Sequence, residues 1–106
     1  MSMTGLKSLV WALLIALVST PLLAADPNEG RRVYNEQCAY CHGVDGNGEL
    51  PGMPNFQRGE RLMQADQSLF RAISDGRGSM PSFDGLLDER EILDVIAYLR
   101  TFMGQY

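Results

Sequence analysis

Two cysteines separated by two residues and followed at once by a histidine, Cys38-Ala39-Tyr40-Cys41-His42, constrain this chain more than any other feature. The 106 residues hold no other cysteine and no other histidine, so the chemistry of the motif is confined to it. A disulfide between Cys38 and Cys41 would close a loop too short to add much stability. A structural zinc ion takes four ligands, and the sequence offers three. A thioredoxin-type pair follows a strand of a βαβ unit, and no stretch here alternates apolar and polar residues as a strand does. A Cys–His catalytic pair needs sulfur and imidazole facing each other, which sequence neighbours seldom manage. The remaining reading is covalent haem attachment, whose signature is C-x-x-C-H. In it the two cysteines add to the haem vinyl groups, and His42 is held against the iron as an axial ligand.

The N-terminus supports that reading. Lys7 precedes an apolar run from Leu9 to Val18, followed by Pro21 and the small pair Ala24-Ala25. A basic start, a short apolar core, a helix breaker and small residues make a secretory signal peptide over residues 1–25, cut after Ala25. The alternative is an uncleaved membrane anchor, because Ser8 to Ala25 carries no charge. A spanning helix takes about 20 mainly apolar residues, and Pro21 interrupts this one. The domain proper is residues 26–106. It is close to the size at which a chain struggles to bury enough apolar surface by itself. Small exported domains compensate with several disulfides or a bound cofactor; here a haem would fill the core. Residues 26–106 contain eight arginines, no lysine and all 13 acids. That acidic balance excludes nucleic acid, which needs a basic face, and favours partners with a basic or apolar docking patch.

The elements expected are helices joined by long loops. Asp26-Pro27 reads as a helix start, with Glu29 placed to reach back to the cap, and this helix runs through Gln37. Residues 43–59 are too rich in glycine and proline to be anything but loop. Asp66 is the expected cap of a short helix carrying Leu69, Phe70 and Ile73, ended by Asp75-Gly76. Met63 is expected to pack beside Leu62 in a helical turn. A second loop, residues 76–85, contains Met80-Pro81-Ser82-Phe83. The last helix is capped by Asp88, with Glu91 completing a capping box and Leu87 stapled to Ile92. Its apolar stripe is Ile92, Ile96, Leu99 and Met103, flanked by Val95, Tyr98 and Phe102. The fold expected is all-α, about three helices with long loops wrapped around one covalently attached haem.

The iron needs a sixth ligand, and with no second histidine it should be a methionine, a choice that raises the reduction potential. Met103 belongs to the last helix and Met63 to the packing beside Leu62. Met53 and Met80 both lie in loops and both precede proline. Met80 is preferred, because its glycine-flanked loop can cross to the opposite haem face and Pro81 stiffens the backbone there. The second ring nitrogen of His42 should be held by a carbonyl of the loop that follows. Phe56, Phe70, Phe83 and Tyr98 are the aromatic residues available to line a pocket. Arg58, Arg61 and Arg77 are the arginines from which propionate partners would come.

Taken together, these landmarks resemble the small class I monohaem c-type cytochromes, and the resemblance spans nearly all of residues 26–106. Cys38, Cys41 and His42 match the attachment site. Pro54-Asn55-Phe56 is similar to the family's loop run, whose proline carbonyl accepts the histidine ring proton. Met80-Pro81-Ser82-Phe83 is similar to the distal ligand loop. Gly30 and Tyr34 match first-helix positions that cross the last helix at Val95 and Tyr98. The tryptophan that some members place near a propionate is absent, and so is the lysine ring of the mitochondrial protein. The resemblance implies a periplasmic electron carrier with one haem c ligated by His42 and Met80, serving a redox donor and acceptor, membrane-bound respiratory complexes among them. It implies no small-molecule substrate at iron. Membrane contact follows only if the N-terminal segment stays attached. Two other readings carry different predictions: a dedicated cytochrome subunit of a periplasmic dehydrogenase or terminal reductase, and a haem sensor or peroxidase with an open sixth position.

Overall fold

Asp26-Pro27 opens the first helix. In the computed structural model, which describes residues 24–104, α1 spans Pro27–Gln37 and the Asp26 carboxylate accepts from Asn28 N at 2.8 Å. The leader or anchor expected over residues 1–25 thus lies almost wholly outside the described residues. Glu29 does not complete a capping box. The Asp26 N–H that it would have bonded donates instead to Asp94 Oδ1, at 2.7 Å, across the helix crossing. Glu29 turns outward to Arg32 at 3.1 Å.

One further turn, α2 (Ala39–His42), follows directly, so the Cys38–His42 motif begins where α1 ends. The long loop after it contains a 3₁₀ turn, Phe56–Arg58, with the Asn55 side chain as its cap. Leu62 is buried, but Met63, expected to pack beside it in a helical turn, is 84% exposed and sits in no helix. The Arg100 guanidinium explains the difference: it donates to the carbonyls of Leu62 and Gln64 and holds this segment as a turn. Leu62 then takes the inward position and Met63 faces solvent.

Helix α3 (Asp66–Asp75) starts at Ala65, which has no side-chain cap. Asp66 is its first residue, and its carboxylate is taken by Arg100 Nη2 at 2.6 Å, which is why it does not cap. Helix α4 (Glu89–Thr101) has the expected capping box: Asp88 accepts from Glu91 N at 2.8 Å and donates its own N–H to Glu91 Oε1 at 3.1 Å. Among the described residues there is no strand, only two isolated bridges, Arg77–Met80 and Asp84–Leu87. The architecture is all-α.

α1 and α4 cross at Gly30. A Cβ there would fall 1.9 Å from the Asp94 carbonyl oxygen and 3.0 Å from Tyr98 Cβ. Only glycine lets the two backbones approach so closely. Val33, Tyr34, Ile92, Val95, Ile96 and Leu99 are buried around this crossing. Tyr34 packs on Tyr98 and Phe102, with ring centroids 5.2 and 5.6 Å away. The crossing therefore holds the end of α1, and with it Cys38, against α4.

Candidate haem site

A cavity of about 370 Å³ lies between these elements. Two i,i+4 pairs, Leu69/Ile73 of α3 and Val95/Leu99 of α4, form apolar walls together with Leu62, which precedes both in the chain. Cys38 and His42 open onto the cavity, as do Met53, Pro54 and Phe56 of the glycine-rich loop. Met80, Arg77 and Arg61 complete the lining, which contains no aspartate or glutamate. Cys41 is half-buried on the same turn but does not line the cavity. The wall pairs were visible in the sequence only as helix stripes, and their i,i+4 spacing was the available signal. Gln64, also in the lining, gave none.

His42 is placed by short-range bonds. Its N–H donates to the Cys38 carbonyl at 3.0 Å and its carbonyl accepts from Gly48 N at 2.9 Å. The imidazole stacks on Phe56, centroids 5.0 Å apart and planes 24° apart, and Phe56 stacks in turn on Phe102 at 6.2 Å. Burial lowers the His42 pKa, which favours the neutral imidazole that a metal ligand must be. Pro54 lines the cavity, but its carbonyl does not receive the ring proton: Nδ1 is buried without a hydrogen-bond partner. The ring is oriented here by stacking on Phe56, and the Pro54 carbonyl packs close to Gly48 instead.

Burial, with Cys41 adding to it, pushes the Cys38 thiol up to about 11. A thioredoxin-type cysteine has its pKa lowered, the opposite direction to that of Cys38. Both cysteines are free. Tyr34, whose pKa is raised chiefly by burial, donates its hydroxyl to the Gly43 carbonyl at 2.6 Å and ties α1 to the turn after the motif.

Met80 is presented by a tight loop. Its N–H donates to the Arg77 carbonyl at 2.9 Å, and its carbonyl accepts from Arg77 N at 3.0 Å. Ser82 Oγ, Phe83 N and Asp84 N then bond to carbonyls of Ser74 and Ile73 at the end of α3. Gly76, at φ +76°, makes the fold-back possible: a Cβ there would lie 2.7 Å from the Met80 carbonyl oxygen. Phe83 does not line the cavity. It is buried in the core beneath the loop and acts as its anchor. Phe70 is only partly buried against the core, and neither it nor Tyr98 lines the cavity. Of the three arginines singled out, Arg61 and Arg77 line the cavity and Arg58 does not.

A haem is an apolar ring with two anionic propionates and an iron that takes axial donors. The cavity answers each part, with apolar walls, a neutral imidazole, a thioether, a thiol and two guanidiniums. Comparison with known proteins agrees. Residues 25–99 match the family described as cytochrome c oxidase, cbb3-type, subunit III. This chain is a class I c-type cytochrome. It carries one covalently bound haem c and transfers electrons between redox partners. The cytochrome is 32% identical to cytochrome c6 of Synechococcus sp. (strain ATCC 27167 / PCC 6312) over 104 residues, covering 89% of this chain and 91% of that one. It is 34% identical to the cbb3-type cytochrome c oxidase subunit CcoP of Azospirillum brasilense, but spans 30% of that protein's length. The solved structure of cytochrome c6 from the diatom Phaeodactylum tricornutum matches with a TM-score of 0.62 at 26% identity, over 76% of this chain and 99% of that one.

Proposed function

We propose that this cytochrome is exported to the periplasm, holds its haem through thioethers to Cys38 and Cys41, and ligates the iron with His42 and Met80. The observation that carries the reading is that Cys38, His42 and Met80 open onto one cavity. Met53 also lines that cavity, but its loop is bonded to the turn that carries His42, through Gly48 N to the His42 carbonyl and Glu49 N to the Cys41 carbonyl. The Met80 loop is bonded to the end of α3. Ligands on two faces of one ring must come from two walls, which favours Met80. Bound haem supplies a reversible one-electron couple. The chain's residues hold its geometry: Phe56 stacks on the imidazole, Pro54 frames the same side, and Phe83 anchors the loop opposite. Two strong protein ligands leave no open position for a substrate, and the protein's part is then to tune potential and limit solvent access.

In a chain with net charge −4, a cavity with two arginines and no acid favours an anionic occupant, and Arg61 and Arg77 are assigned to the propionates. Arg61 is the one non-glycine residue at positive φ (67°) among the described residues, a conformation that persists where its surroundings impose it. A nearby cation favours the ferrous state and so raises the midpoint. Redox titration should give a one-electron step, lowered in Arg61→Gln and in Arg77→Gln by about 20–40 mV, equivalent to roughly 0.5–1 kcal/mol. Arg58→Gln should leave it unchanged. Equal shifts in all three variants would count against the assignment.

The match to cbb3 subunit III favours a second reading, a permanent subunit of a membrane-bound oxidase. Such a subunit would co-purify with the larger enzyme, whereas the shuttling carrier would purify alone.

A further inference from the structure

We propose that export cuts the Ala25–Asp26 peptide bond and that the α-ammonium so created on Asp26 forms an ion pair with the buried Asp94 carboxylate. The proposal rests on the periplasmic reading above. The cut is a hydrolysis by a signal peptidase: water adds across the amide, leaving a carboxylate on Ala25 and an amine on Asp26 that takes up a proton at neutral pH.

The structure points to this bond through Asp94. Its side chain is only 8% exposed, on a helix whose other buried side chains are apolar. Burying a carboxylate is costly unless it is paired. Its Oδ1 accepts from the Asp26 nitrogen at 2.7 Å and also forms an ion pair with the half-exposed Arg90 guanidinium, whose Nε is 3.4 Å away. An amide N–H satisfies one lone pair but brings no charge. An ammonium at the same atom would bring one, in a charge-assisted bond of the length already present. The Asp26 carboxylate, which caps α1, adds a second negative group beside it. Ala24 and Ala25 are exposed and meet the small-residue requirement for cutting. Removing Ala24 takes away the acceptor of Arg90 Nη2, now bonded to its carbonyl at 2.9 Å, and leaves that guanidinium its existing pair with Asp94. Processing would therefore complete the α1–α4 crossing that holds Cys38 in place.

Residues 26–106 contain no lysine, so the proposed α-amine is the only amine in the processed chain and can be acetylated selectively. The test uses holoprotein produced from the full chain. Intact mass should equal residues 26–106 plus one haem, and a mass that retains residues 1–25 or begins elsewhere would overturn the cut. That outcome leaves the electron-carrier reading intact, because the redox titration tests it separately. Acetylation should run at least tenfold slower in folded protein than in urea. Once forced to completion, it should lower the melting temperature by several degrees. The same acetylation should have little effect in Asp94→Asn. An equal loss in wild type and Asp94→Asn would overturn the ion pair. Where Asp94→Asn fails to fold, equal acetylation rates in folded and unfolded wild type would overturn it.

Discussion

Gly30→Ala is expected to destabilise this cytochrome by about 3 kcal/mol or more, at the upper end of what overpacking a core usually costs. The new methyl carbon would sit 1.9 Å from a backbone oxygen of Asp94, and Tyr98 Cβ closes the other side. Neither obstacle is the free end of a flexible side chain, so the helices must separate. Separation would loosen the packing of Tyr34 on Tyr98 and Phe102, and the bond between Asp26 N and Asp94 would stretch. Urea unfolding followed by circular dichroism should show the loss as a lowered midpoint with little change in slope. A midpoint close to wild type would mean that α1 and α4 do not cross at Gly30.

Replacing both Cys38 and Cys41 by alanine should abolish covalent haem. Acidified organic solvent would then extract the pigment completely, whereas in wild type the haem would remain with the polypeptide. The effect should reach the fold as well. Leu62, Leu69, Ile73, Val95 and Leu99 present their apolar surface to the cavity, and each buried aliphatic side chain of this size is worth about 1.5–3 kcal/mol when covered. A domain of roughly 80 residues has little stability to spare. The extracted variant is therefore expected to lose most of its far-ultraviolet helix signal. Retention of haem through extraction in the double variant would refute the attachment role of the two thiols.

What could be read from the sequence was mostly local. The Asp88–Glu91 capping box, the glycine-rich loop and the turn that carries Met80 each depend on residues within a few positions of one another, and each has the expected form. The readings that changed depended on partners far along the chain. Glu29 lost its capping role to Asp94, 68 residues from the bond it makes at Asp26. Asp66 lost its role to Arg100, 34 residues away, and the same guanidinium holds the turn that leaves Met63 in solvent. The Pro54 carbonyl bond to His42 gave way to stacking on Phe56. Phe83 shows the limit of reading burial: an apolar residue beside a ligand loop can line the site or anchor the loop from beneath, and its sequence position does not distinguish them. Arg61 and Arg77 became separable from Arg58 only once the cavity had walls.

His42 and Met80 are proposed to close the iron from both sides. The direct measurement is the near-infrared absorption of the oxidised holoprotein, where a methionine sulfur bound to ferric haem gives a charge-transfer band. That band is expected in wild type and in Met53→Leu and should be lost in Met80→Leu, with carbon monoxide binding readily to the reduced protein only in Met80→Leu. A band that survives Met80→Leu, or carbon monoxide binding readily to reduced wild type, would contradict this ligation.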